Sequence, residues 1–97
     1  MRIHKRKPVR NPDYLIWVSQ QPCVVCGYEW SDAHHAKGNK KQGGMGQKAS
    51  DLTAFPLCRT CHTDLHDHGW KTWERAHGAQ SKYYLGTLAR AIDEGVL

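Results

Sequence analysis

Two C-x-x-C pairs, Cys23/Cys26 and Cys58/Cys61, account for all four cysteines of this 97-residue chain. A chain this short buries only a marginal core, so a covalent or metal staple is expected. Each pair has the spacing of half a four-thiolate zinc site, and 31 residues lie between Cys26 and Cys58. A disulfide framework is the alternative. The N-terminus shows no apolar signal segment and no apolar run reaches membrane length, so a reducing, intracellular setting and a structural zinc are expected.

The second pair runs straight into Cys61-His62-Thr63-Asp64-Leu65-His66. Histidines four apart project from one face of a helix and can share an ion. A cysteine pair leading into a histidine pair therefore suggests a zinc that fixes a helix start, and a helix that presents a second metal.

The formal net charge is +5 and the isoelectric point about 9.2, a balance that favours an anionic partner, nucleic acid first. A generic basic surface is the plainer reading, so the distribution of charge matters more than its sum. Residues 1–10 carry Arg2, Lys5, Arg6, Lys7 and Arg10 with no acid, and read as a flexible arm that tracks phosphates, or as a solubilising tail. Residues 37–48 hold Lys37, Lys40, Lys41 and Lys48 among four glycines, again without an acid. That composition predicts a loop whose ammonium groups and backbone amides can approach a phosphate backbone.

Asn11-Pro12-Asp13 has the form of a helix start, with the helix running through Val18 and stopping before Pro22. A strand is expected over residues 28–36 and a second over 51–55, with a helix from Arg59 to about His68 ended by Gly69. Trp70, Trp73 and His77 form one helical stripe closed by Gly78. Tyr84, Leu85, Leu88 and Ile92 form another between residues 81 and 94. Both stripes read as packing faces over the metal centre. The whole chain, 1–97, is expected to be one domain: an arm (1–10), a metal-binding core (20–68) and C-terminal helices (70–95).

In chain order the ligand candidates are Cys23 and Cys26, His34-His35, Cys58 and Cys61, then His62 and His66, laid out as strand, loop, strand, helix. This resembles the HNH, or ββα-metal, endonucleases. The likeness rests on Asp32-Ala33-His34-His35, on Gly43-Gly44, and on Leu57-Cys58-Arg59-Thr60-Cys61-His62 with His66 after it. Gly43-Gly44-Met45-Gly46, Asp51-Leu52 and Pro56-Leu57-Cys58-Arg59 make the chain most similar to phage and prophage nucleases of the RecA-dependent recombination-enhancement type. The resemblance implies an α+β fold, a small zinc-stapled ββα-metal core with flanking helices, that hydrolyses DNA phosphodiester bonds to 5′-phosphate and 3′-hydroxyl ends. It further implies a role in phage recombination or DNA processing, a recombinase filament as partner, and a place in the cytoplasm of a phage or prophage host.

Chemistry points the same way. Phosphodiester cleavage needs an activated water and neutralisation of charge at phosphorus and the leaving oxygen. Three imidazoles, His34, His62 and His66, can hold a divalent ion such as Mg2+, Mn2+ or Zn2+, and a fourth can take the proton. In HNH enzymes with paired histidines the first binds metal and the second is the base, which assigns His34 as ligand and His35 as general base. The reverse order stays open, because adjacent strand residues face opposite ways. The family places an asparagine at the end of its second strand, where this chain offers Asp51. That aspartate either holds the base loop, accepts a histidine N–H, or only starts a turn. Asp32 either accepts from a ligand histidine or is incidental, and Arg59 either reaches the scissile phosphate or is a solvated surface group. His4, His68 and His77 read as ordinary surface or helix-end histidines.

The competing expectation is a zinc-stapled nucleic-acid-binding module without catalysis. A four-cysteine site needs no histidine, so the four histidines at nuclease-like positions separate the two. One mixed Cys/His zinc site would leave the 62/66 pair without purpose.

Overall fold

The computed structural model describes residues 8–37 and 49–97, and within them the chain begins where its capping chemistry predicts. The Asn11 side chain accepts from the Tyr14 amide, Pro12 occupies the first turn, and α1 (Pro12–Ser19) follows, burying Tyr14 and Val18. After it the backbone doubles back: the Gly27 amide donates to Cys23 (2.9 Å) and the Cys23 amide to Tyr28 (2.9 Å). Gly27 sits at φ +78°, a conformation glycine adopts without a Cβ clash.

Two short strands, β1 (Asp32–His35) and β2 (Ala54–Leu57), pair antiparallel, with Asp32 opposite Leu57 and His35 opposite Ala54. Both are shorter than the sequence suggests. Residues 28–31 fall outside the ladder, and Tyr28 and Trp30 are exposed. Their partner strand ends at Leu57, where Cys58 turns the chain into a helix and leaves nothing to pair with. The strand expected at 51–55 begins instead at Ala54. A 3₁₀ turn, Asp51–Thr53, precedes it, and the Ser50 hydroxyl accepts from the Leu52 amide there. Serine closing a local turn competes successfully with ladder hydrogen bonding.

All four residues of β2 are buried, and its alternation divides the core. Phe55 and Leu57 join Leu65, Trp73 and the first cysteines of both pairs. Ala54 points the other way, to Tyr14, Val18 and Ala91. Val24 donates its amide to the Pro56 carbonyl (3.0 Å), tying the first cysteine turn to this central strand.

Helix α2 (Arg59–His68) ends at Gly69 (φ +82°), which also opens α3 (Trp70–His77), and α4 (Gln80–Asp93) follows Gly78. Trp73 is buried as its stripe predicts. In α4 the buried positions are Gln80, Thr87 and Ala91, whereas Leu85 and Ile92 are 56% and 63% exposed. The helix is therefore rotated from the face its apolar residues predict. Small side chains at 87 and 91 allow close approach to the inner layer, and Tyr83 supplies the bulk by stacking on Phe55 with ring centroids 5.8 Å apart.

Together the described residues make an α+β fold of four helices and one two-stranded sheet. No helix among them is long and apolar enough to cross a membrane.

Candidate metal centres

Cys23 and Cys26 come from the turn after α1, and Cys58 and Cys61 from the first turn of α2. Their sulfurs all lie within 4.8 Å of one another, and Cys26 Sγ and Cys58 Sγ are 3.6 Å apart. Zinc–sulfur bonds of about 2.3 Å in a tetrahedron place sulfurs about 3.8 Å apart, so the cluster has the dimensions of a four-thiolate site and can hold a structural metal such as zinc. Its electrostatics agree. Burial pushes the Cys23 thiol up, but the backbone amides of Cys58, Cys26 and Val25 outweigh it and bring it down to about 7. Burial and the neighbouring thiols drive Cys61 far up. Four thiols this close cannot all ionise without a cation among them.

A second cluster lies one turn along α2. His34 from β1 and His62 and His66 from α2 also bring ligand nitrogens within 4.8 Å of one another. His62 Nε2 and His66 Nε2 are 3.1 Å apart, close to the separation of about 3.3 Å expected for two nitrogens on one metal. The opposite nitrogen of His62, Nδ1, is 3.2 Å from Asp32 Oδ2. With that N–H donated to the carboxylate, Nε2 keeps its lone pair for a cation, an arrangement typical of metal-binding histidines. Burial raises the Asp32 carboxyl, but hydrogen bonds from His62 and Arg59 prevail and hold it below the usual range.

His34 is 2% exposed, and burial, with smaller contributions from nearby cations, lowers it to about 4. Burial, Lys37 and His62 lower His66 as well. Both imidazoles are thus neutral near pH 7, as ligands must be.

His35 lies outside this cluster, on the other face of β1. Its Nε2 is 2.8 Å from Asp51 Oδ1. Asp51 is buried and also accepts from the Asn11 amide (2.7 Å). Burial alone would raise its carboxyl, yet the His35 and Asn11 hydrogen bonds lower it. Asp51 contacts His35 and also opens the 3₁₀ turn Asp51–Thr53, rather than ending a strand.

The basic residues divide. Arg10 is not part of a free arm: its guanidinium donates to the Ala49 carbonyl (2.8 Å) and stands 3.6 Å from Asp51 Oδ1, while the Val9 carbonyl accepts from the Asp51 amide (3.0 Å). A buried carboxylate that needs partners recruits the end of the arm. Arg59, 84% exposed in its side chain, pairs with Asp32 (3.1 Å). Lys37 lines a small hollow with His66 and Trp70. Arg2, Lys5, Arg6, Lys7, Lys40, Lys41, Lys48 and the 43–46 glycine loop lie outside the described residues, as does His4. His68 is exposed and paired with Asp64 (2.9 Å).

One residue of the site is invisible in the sequence. Gln80, 2% exposed, places its side-chain oxygen 3.3 Å from His34 Nε2 and accepts the Lys37 amide (3.0 Å). Its NH2 donates to the Lys37 carbonyl (3.0 Å). Gln80 thereby fastens the end of β1 to α4 and, by accepting from Nε2, leaves His34 Nδ1 unprotonated. A glutamine in a first helical turn normally reads as solvated, and nothing nearby in sequence marks it otherwise.

No solved structure gives a significant match to this chain. A curated protein of Escherichia coli (strain K12), described as "Uncharacterized protein YdfU", is 40% identical over 97 residues, covering 100% of this chain and 27% of the relative. The chain thus spans about a quarter of that protein's length. The model of the family described as "Protein of unknown function (DUF968)" matches residues 1–95, and the chain belongs to that family.

Proposed function

We propose that this protein is a metal-dependent endonuclease of the HNH (ββα-metal) kind that hydrolyses DNA phosphodiester bonds. The observation that carries the reading is the division of labour on β1. His34 faces two helical histidines at metal-ligand distance, while its neighbour His35 faces away from them onto a buried carboxylate. The order β1, β2, α2 supplies the ββα frame.

In this reading His34, His62 and His66 hold a divalent ion (Mg2+, Mn2+ or Zn2+), and the four cysteines hold a structural Zn2+. The divalent ion, when bound, supplies charge neutralisation at the phosphoryl and leaving oxygens. Asp51 accepts Nε2–H of His35, which fixes the tautomer and leaves Nδ1 as the proton acceptor. His35 Nδ1 takes a proton from water, the water oxygen bonds to phosphorus, the P–O3′ bond breaks with its electron pair going to O3′, and O3′ takes a proton from solvent, giving 5′-phosphate and 3′-hydroxyl ends. Asp32 holds the His62 tautomer and Gln80 that of His34. Lys37, Arg59, Arg2, Lys5, Arg6, Lys7 and the lysines of 37–48 hold the DNA backbone with little sequence preference, since phosphate contacts position without reading bases. Phage recombination or DNA processing, with a recombinase filament as partner, is the setting that the sequence resemblance favours.

Replacing His35 by alanine tests this. The His35→Ala protein should fold, keep its zinc and bind DNA, with cleavage 10²- to 10⁴-fold lower, about the size of a general-base contribution. Near-normal cleavage would exclude His35 as the base. A metal titration showing one tightly held zinc and no second divalent site, with DNA binding but no cleavage, would select the non-catalytic binding module instead.

A further inference from the structure

Between α1 and the middle of α4 lies a cleft of about 290 Å³ that no cysteine or histidine lines. Trp17 and Tyr83 form aromatic walls, and Lys82 and Arg90 stand at its edge with no acidic side chain among the lining residues. Arg90 Nη2 is held by Gln21 Oε1 (3.1 Å) and reaches Glu94 outside the cleft (3.5 Å). Lys82 Nζ lies 5.4 Å from the Tyr83 ring centroid. Both residues are exposed, with Arg90 oriented by Gln21 and Glu94 and Lys82 lying over the Tyr83 ring.

Gly86 is the second observation. It lines the cleft in the interior of α4, where glycine weakens a helix relative to alanine. Neither usual reason for glycine applies. Its backbone is not in the left-handed region, and an added Cβ would meet no atom within 4 Å. Gly86 is exposed, and an added Cβ would enter open space on the helical face it shares with Lys82 and Arg90.

Aromatic side chains and two cations lining one cleft match the chemistry of a flat ring carrying a phosphate. We propose that this cleft takes an unstacked nucleotide of single-stranded nucleic acid, its base against Trp17 and Tyr83 and its phosphate at Lys82 and Arg90. Bases within a duplex are stacked on their neighbours and cannot enter, so the cleft favours single strands. The inference does not depend on the histidine site: it concerns binding and holds whether or not the protein cleaves.

The test is fluorescence anisotropy of the zinc-loaded 97-residue chain with a labelled oligothymidylate, without added divalent ion, beside a duplex of equal length. Gly86→Ala should raise the thermal midpoint, because alanine favours the helix, and yet weaken oligothymidylate binding about tenfold, the size of one lost stacking contact. Lys82→Gln with Arg90→Gln should weaken it further and reduce the slope of log K against log salt by about 0.7, as for one phosphate of a single strand. Duplex affinity should hardly change in Gly86→Ala. Unchanged oligothymidylate affinity in the stabilised Gly86→Ala protein, or equal losses for duplex and single strand, would overturn the proposal.

Discussion

His34 is 2% exposed and lies against His62 and His66. Burial holds it neutral, down to about 4 from an ordinary 6.5. The unfolded chain takes up that proton near pH 6.5 while the folded chain resists it. Stability from this residue is therefore complete above pH 6.5 and falls as the pH drops from 6.5 to about 4, by about 3 kcal/mol. Asp32 and Asp51 act in a different window, since their lowered carboxyls lose their contribution only below the normal carboxylate range. Urea midpoints measured from pH 7 to 4.5 on the zinc-loaded protein should show this fall, and a His34→Gln protein should show a much shallower one. Parallel profiles would mean that His34 is not desolvated in solution. The residue types in the clusters were legible in the sequence, because C-x-x-C and the i, i+4 histidines have few other uses. What each histidine faces was not, since adjacent strand residues can exchange roles with one shift of register.

Helix α2 shows why an element can be easy to find and hard to explain. Cys58 caps it, Gly69 ends it, and both signals stand in the sequence. Yet ten residues rich in Thr, His and Asp make a poor isolated helix, and only Leu65 is buried. Its stability must come from outside, and the cysteine cluster at its first turn is the available source. Cys58→Ser should lose zinc stoichiometrically and lose most helical circular dichroism, because structural zinc contributes directly to folding. A Cys58→Ser protein that keeps its zinc and its helicity would rule out the four-thiolate staple. The strands were less legible than the helices. Their limits depend on where the partner chain turns, at Ser50 and at Cys58, and no periodicity within residues 28–36 records that.

Across the whole molecule the two clusters share α2 and so should come apart in order. If the histidine cluster holds an ion as proposed, a mild chelator should strip that ion first, without changing the far-UV spectrum. A thiol-reactive agent should then release the cysteine-bound zinc and unfold the chain. Metal analysis alongside circular dichroism follows both steps, and simultaneous loss of both ions with structure would contradict two separable centres. Composition and spacing alone determined that this chain would offer four cysteines as one possible metal site and would gather histidines on one helix, because ligand chemistry admits few residue types and few separations. Tertiary structure decided the rest. The rotation of α4 brings Gln80 onto His34 and turns Leu85 and Ile92 outward, and a buried Asp51 draws in both His35 and Arg10. Those contacts join residues up to 46 positions apart, and only packing in three dimensions brings such groups together.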